Sequence, residues 1–560
     1  MYNNNIKSRN SDDDKGTSDS YIGDSLNHES ASIRSLFKSQ FVIFCALYVS
    51  TGGLLFGYDQ GVISIVLVMP HFLKEFPELA IAKSSMYHGV PYPEKSGPHS
   101  DFYKGLMTAL IELGAFIGAL NQGWIADKFS RKYSISCAVF FFSIGTIIQT
   151  VAMDYSALSI GRFIGGVGVG MLSMSAPLYM AEISPPKIRG VLLVLEELSI
   201  VTGIVVAFWI TYGTRFIDST WSFRFPFLIQ IIPGLILGFG VFFLPFSPRW
   251  LALKGRDEEC LRSLCKLRQL PESDPTIQKE WIEIRAEAKF QQQTNEIRHP
   301  KLRDGRVFTA IKLEIATWFD LFKKGCWKRT IVGIGVMFFQ QFVGINALIY
   351  YSPTLFKTLG LDYDMQLLMS GILNVTQLVG VFTSIYTMDR LGRRPLLLIG
   401  SALMFISHLS IAIIVGLYSH DWANYRIQCY IGVSFLLFYM LSFGSTWGPV
   451  PWALPTEIFP SSLRAKGVAI STCSNWLNNF IIGLITVPLV EKTNYGAYIF
   501  FSAFCLLSGI FTWFLIPETN RRTLEEMDVV FHDNYGFNDE ERRKEIEDEL
   551  FMKQRHLYED

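Results

Sequence analysis

DKFSRK at 127–132 and DRLGRR at 389–394 are two copies of one pattern, 262 residues apart in a chain of 560. Two more pairs follow in the same order. AEISPPKIRG (181–190) answers TEIFPSSLRAKG (456–467), and LPFSPRWL (244–251) answers IPETNRRTLEE (516–526), with offsets of up to 275 residues. Features that recur in a fixed order at a nearly constant offset mark a duplicated unit. Each copy sits in or beside a short polar connection between long apolar runs, so the unit that was doubled is a set of membrane spans.

The runs are about 20 residues each, enough to cross a ~30 Å hydrocarbon layer as helix. They lie near 41–68, 105–126, 133–152, 157–181, 190–212, 224–245, 329–351, 366–388, 395–417, 427–452, 467–488 and 496–516. The expected fold class is therefore an all-α membrane protein with twelve transmembrane helices in two pseudo-symmetric six-helix halves. Composition agrees, with 50% hydrophobic residues, 45 Phe and 12 Trp. The domain reading is a disordered cytoplasmic tail at 1–38, a first half at 39–248, a helical cytoplasmic linker at 249–328, a second half at 329–516 and a cytoplasmic tail at 517–560. In the linker, IQKEWIEIRAEAKFQQQ (277–293) reads as a solvated helix. The first 38 residues have no apolar core of a cleaved signal, so the first span is expected to be its own targeting signal.

Basic residues cluster in the connections after spans two, four, eight and ten. The positive-inside rule places those connections, the linker and both termini in the cytoplasm, and the protein is expected in the plasma membrane. Net charge is zero, which gives no electrostatic argument for nucleic acid; the expected partners are a small solute, protons and membrane lipid. The eight Cys form no CxxC pair or Cys/His cluster, so no metal site or disulfide framework is expected. No P-loop or nucleophile elbow occurs. No cofactor, enzyme activity or ATP-driven pumping by this chain is expected. The repeated motifs set acids and bases at the cytoplasmic helix ends: Asp127, Arg131, Glu182 and Arg189 in the first half, Asp389, Arg393, Glu457 and Arg464 in the second. Salt bridges among them would latch one conformational state and release in another.

Several ordered motifs then give a family resemblance: GYDQGV (57–62), GRFIGGVGVG (161–170), PLYMAEISPPKIRG (177–190), FFQQFVGINALIYYSP (338–353), DRLGRR, TWGPVPWALPTEIFP (446–460) and PETNRRTLEEMD (517–528). In this order the chain resembles the sugar porter family of the major facilitator superfamily, fungal type, from about residue 40 to 530. The resemblance implies the major facilitator fold and import of a monosaccharide by alternating access. A sugar is a ring of hydroxyls with apolar faces, so its site needs amides and aromatic plates. The positions that match the family's sugar contacts are Phe56, Gln340, Gln341, Asn346, Asn374, Trp447, Trp452, Asn475 and Asn479. An isolated intramembrane amide also serves as glue between helices. Gln340, Gln341 and Asn346 reach one site only if the helix is irregular near Gly344, whereas Asn475 and Asn479 share a helix face. Where the family usually has a sugar-binding Gln in span five, this chain has Glu197, with Glu196 beside it. Glu197 lies ~12 Å into its span, where an acid is a functional candidate. Phe246 replaces another usual Glu.

Asp59 is a carboxylate near the middle of an apolar helix. Its expected partner is Arg162, and in proton-coupled relatives the matching pair carries the proton. Proton symport is the expectation, with facilitated diffusion as the alternative, because the acid that bacterial xylose–proton symporters carry in span six is Gln230 here. Glu112, in span two, is an intramembrane acid with no partner assignable from sequence. Hexose is the first expectation for substrate and pentose the next. A polyol carrier (glycerol or myo-inositol) is a further alternative. A nutrient sensor is disfavoured by the short charged segment after span twelve.

Overall fold

The computed structural model describes residues 40–80, 99–185, 189–300, 307–520, 524–531 and 535–559; the predicted tail at 1–38 lies outside them. Among the described residues, twelve helices are long and apolar enough to cross a membrane. Spans one to six are Gln40–Val66, Ser100–Phe129, Arg131–Val151, Tyr155–Ile183, Val194–Thr214 and Trp221–Phe243. Spans seven to twelve are Trp327–Thr358, Tyr363–Leu391, Arg393–Tyr418, Arg426–Ile458, Arg464–Thr493 and Gly496–Leu515. Several outrun their apolar stretch, because polar end turns such as Asp389–Leu391 stay helical beyond the hydrophobic window.

Glycine decides how closely the first-half helices approach. An ideal Cβ on Gly57 of span one would lie 1.8 Å from the Ile200 carbonyl oxygen of span five. In return, a Cβ on Gly203 of span five would lie 2.3 Å from the Leu54 carbonyl. The Gly-rich face of span four works the same way, with Gly166 and Gly170 each 2.0 Å, at their ideal Cβ, from span-two carbonyls. Backbones in contact suit a lipid setting, where association rests on packing and not on hydrophobic burial.

The two halves meet along spans two and eleven, five and eight, and one and seven. One end of the bundle carries the repeated charged motifs and is termed the latch end. The opposite end, with Val66 and Thr358, is termed the gate end.

Beyond span six the chain forms helices Pro248–Leu253, Asp257–Arg268, Pro275–Arg298 and Val307–Asp320. The segment expected as a solvated helix is instead packed on two sides. Ile277, Ile284 and Ala288 bury against the two preceding short helices, whereas Ala286 and Phe290 bury against Ile546 of the C-terminal helix Tyr535–Glu559. Its apolar residues fall on two faces, each with its own partner, so no single stripe stands out in the sequence. Lys289 also bonds Glu549 at 2.9 Å. Hydrogen bonds from Lys553 and Lys289 pull the Glu549 carboxyl down to about 2.

Candidate functional site

Span seven breaks at Gly344, whose φ is +99°, a backbone state that favours glycine. The break leaves the Val343 carbonyl without a helical partner, and unpaired backbone is tolerated at membrane depth only where protein satisfies it. Tyr439 donates to that oxygen at 2.9 Å, and His408 Nε2 lies 3.2 Å from it. The break also brings Asn346 Nδ2 within 2.5 Å of Gln341 Oε1.

Gln340 has a different role. Its Nε2 donates to the Trp447 and Gly448 carbonyls at 2.9 Å each, and its Oε1 accepts from Asn475 Nδ2 at 2.6 Å. One side chain thus ties span seven to the break in span ten and to span eleven. Trp447 is fully buried, and its Nε1 donates to the Leu397 carbonyl at 3.0 Å and to Ser401 Oγ at 3.1 Å. Trp447, expected to face a sugar, thus has its indole N–H engaged by span nine. Trp452, five residues on, is half-buried.

At the seam between the halves, Phe56 packs edge-on against Trp476 at 4.9 Å, and Trp476 Nε1 donates to Ser173 Oγ at 3.1 Å. Glu197 is half-buried, and its Oε1 lies 3.4 Å from where a Cβ on Gly448 would be. An acid from the first half therefore faces the backbone of the span-ten break in the second. Glu196 is buried against Gly53 of span one and does not share that exposure. Asn374 is buried, and its Oδ1 has no hydrogen-bond partner among the described residues.

Asp59 and Arg162 face each other in the first half, both buried, with Nη2–Oδ2 at 3.8 Å. Arg162 Nη2 also donates to the Thr108 carbonyl at 3.3 Å. Neither Asp59 oxygen is hydrogen-bonded among the described residues. The pair is thus set for Coulomb attraction without direct hydrogen bonding. Gln230 donates to Thr146 at 3.3 Å.

The gate end is closed by the second part of span seven. Gln60 Nε2 and Asn479 Nδ2 donate to the Tyr350 hydroxyl at 3.0 and 3.2 Å. Tyr350 in turn donates to Glu112. Ser64 and Ser352 hydroxyls are 3.2 Å apart, and Arg215 pairs with Asp364 at 2.9 Å across the halves. Asn479, expected on the sugar, is held by the gate tyrosine. Sequence reading missed Gln60, Tyr350 and Trp476; the signal available was the Tyr-Tyr pair directly after the glycine break.

At the latch end each half carries one closed cluster. Arg131 pairs with Glu182 at 2.8 Å and Asp127 at 2.9 Å, while the Ser247 hydroxyl donates to Glu182 at 2.5 Å. Arg393 pairs with Glu457 at 2.8 Å and Asp389 at 3.4 Å, while Thr519 donates to Glu457 at 2.5 Å. Glu518 accepts from the Arg393 and Arg394 backbone N–H groups at 3.0 and 3.1 Å, which caps span nine. Phe246 takes the matching place in the first half. There Lys132 lies over its ring at 4.5 Å and donates to the Phe242 and Leu244 carbonyls at 2.8 and 2.6 Å. Arg464 reaches the Phe459 carbonyl at 3.4 Å, and among the described residues it makes no ion pair with Glu457. The Arg189 side chain lies outside the described residues.

Known proteins share this architecture. A high-affinity glucose transporter of Kluyveromyces lactis is 35% identical over 456 residues, covering 78% of this chain and 79% of the relative. Sugar transport protein 13 of Arabidopsis thaliana is 30% identical over 488 residues, 87% of this chain and 88% of the relative. The proton:xylose symporter XylE bound to 6-bromo-6-deoxy-D-glucose superposes with a TM-score of 0.68 at 27% identity, covering 88% of this chain and all of that one. A partially occluded inward open conformation of XylE from E. coli gives 0.68 at 25% identity, over 87% of this chain. The family described as "Sugar (and other) transporter" matches residues 45–531. With the twelve spans, the duplicated charge clusters and the broken seventh helix, that match makes this chain a member of the sugar porter family of the major facilitator superfamily.

Proposed function

We propose that the protein imports a monosaccharide, hexose foremost, by proton symport across the plasma membrane, with the latch end and both termini in the cytoplasm. The observation that carries the reading is the buried Asp59–Arg162 pair at 3.8 Å, one helical turn from Phe56 at the seam. A carboxylate that close to a guanidinium but not bonded to it changes its proton affinity when the two move apart. Both groups belong to the first half, so their separation comes from a shift of span one against span four within 39–248 as that half rocks against 329–516 about the seam. The linker 249–328 and the segment 517–560 stay with the cytoplasmic face. Proton and sugar then bias the same two-state element, which is coupling in the thermodynamic sense. The substrate is held by Gln341, Asn346, Asn374 and Trp452, with Phe56 beneath it and Glu197 as a charge-assisted acceptor for a hydroxyl. Relatives named for glucose and for proton:xylose symport support both parts of the reading.

The test is uptake of labelled glucose, xylose, glycerol and myo-inositol in vesicles and in a yeast lacking its own sugar carriers. Glucose should accumulate under an inward proton gradient and stop accumulating with an uncoupler. Equilibration without accumulation would make the protein a facilitated-diffusion carrier. Failure to move any of the four would refute the transport assignment.

A further inference from the structure

Glu112 has a carboxylate that no step above uses. It is buried in span two, fifteen residues before Asp127 of the latch end, and its environment comes from four other spans. The titratable and charged groups facing it are Tyr350 and Tyr351 of span seven, Arg162 of span four and Asp59 of span one. Gln60 and Asn479 reach the same place through the Tyr350 hydroxyl, and the Tyr351 hydroxyl is turned away, donating to the Gly483 carbonyl at 2.8 Å.

The hydrogen bonds can be counted atom by atom. A phenol oxygen has two lone pairs and one hydrogen. Gln60 and Asn479 amides occupy the lone pairs, which leaves the hydrogen for Glu112 Oε1, the nearer acceptor, with Asn479 Oδ1 farther off at 3.4 Å. Oε2 of Glu112 is buried and has no hydrogen-bond partner among the described residues. Charge counts the same way. Asp59 pairs with Arg162 at 3.8 Å, and Glu112 lies beyond ion-pair distance but within the field of the same guanidinium. With both acids ionised the buried cluster carries one uncompensated charge, which is costly away from water; one proton makes it neutral.

We infer that the transported proton is shared by Asp59 and Glu112 around Arg162, and that Glu112 reads the state of the gate through Tyr350. This rests on the symport reading given above. When the gate opens, Tyr350 leaves with the second half, and Glu112 takes a proton from water at that end, becoming a carboxylic acid with the proton on Oε2. Closure re-forms the Tyr350 bond to Oε1 over a neutral cluster. Opening at the latch end returns the proton from the pair to water there. No group other than the two carboxylates changes its proton count, and the pair titrates as a unit.

The experiment measures glucose accumulation against counterflow exchange in the same proteoliposomes of full-length protein, across pH 5 to 8. Glu112→Gln keeps an acceptor for Tyr350 but cannot be protonated. It should lower the ratio of accumulation to exchange about tenfold and flatten its pH profile. A packing loss lowers accumulation and exchange together and leaves the ratio alone. Tyr350→Phe keeps both acids and removes the donor; it should shift the pH midpoint of accumulation, and it decides the matter if Glu112→Gln does not fold. An unchanged ratio and profile in Glu112→Gln, or an unmoved midpoint in Tyr350→Phe, overturns the inference. If wild type accumulates glucose and Asp59→Asn does not, while Glu112→Gln matches wild type, the symport reading stands and this inference fails. If wild type itself does not accumulate glucose under a proton gradient, both fall.

Discussion

Amides that look equivalent in sequence do different jobs here, and their hydrogen-bond partners separate them. Gln340 satisfies two backbone carbonyls and one amide. Gln340→Ala leaves those groups buried and unpaired, so it should cost about 3 kcal/mol and lower thermal stability together with uptake. Asn374 has an unpartnered Oδ1, so Asn374→Ala strands nothing in the protein. It should raise KM for sugar about tenfold while changing stability by less than ~1 kcal/mol. Thermal unfolding in detergent beside uptake kinetics checks both; equal loss of stability in the two variants would contradict the division. The sequence showed that span seven carries a Gln-Gln and an Asn around a glycine, and the motif named them as one set. It did not show that one member of the set is internal lacing, because that depends on where the span-ten carbonyls end up. Trp447 has the same history: aromatic and beside a break in the sequence, but turned into span nine in the fold.

Among the elements, closeness of approach is the controlling quantity. Gly57→Val would place a side chain on the Ile200 carbonyl and force spans one and five apart, at a cost of about 3 kcal/mol or loss of folded protein. Gly123 in span two has nothing within 4 Å of an ideal Cβ, so Gly123→Ala should be neutral or stabilising by up to ~1 kcal/mol. Detergent-solubilised yield and melting temperature measure both. The charge clusters differ in burial, with side-chain exposures of 5% and 8% for Arg131 and Glu182 but 10% and 26% for Arg393 and Glu457. Arg131→Ala should therefore destabilise more than Arg393→Ala, about 3 against about 2 kcal/mol, since the acid left behind is better shielded from water. Outside the membrane, the linker and C-terminal helices meet at Lys289–Glu549. Glu549 is held at about 2, below its ordinary 4.5, so its contribution is complete above 4.5 and is lost as pH falls toward 2. Hydrogen exchange in 535–559 should accelerate over that interval. The spans and the acid–base motifs were legible because each needs only local composition. Packing of the linker helix on two sides was not, since one side rests on the two short helices just before it and the other on Ile546, some 250 residues later.

At the scale of the whole molecule, the structure is a bundle closed at the gate end, with each latch cluster complete within its own half. Ser64 and Ser352 lie 3.2 Å apart across the halves. The double variant Ser64→Cys with Ser352→Cys should form a disulfide under mild oxidant, reduce uptake about tenfold or more, and recover with reductant. Uptake that is insensitive to oxidant, with the disulfide shown by mass spectrometry, would mean that this end does not open during transport. By itself the sequence determined the number of spans, their duplication, the family and the presence of an acid in the first span. Those follow from hydrophobic run length, repeated motifs and the cost of charge in lipid, all readable along the chain. Only the tertiary structure decided which amides are lacing, what holds Glu112, and that the gate tyrosine joins Gln60, Asn479 and Glu112. Those groups are separated by up to several hundred residues, and a hydrogen bond between them exists only once spans one, two, seven and eleven have packed.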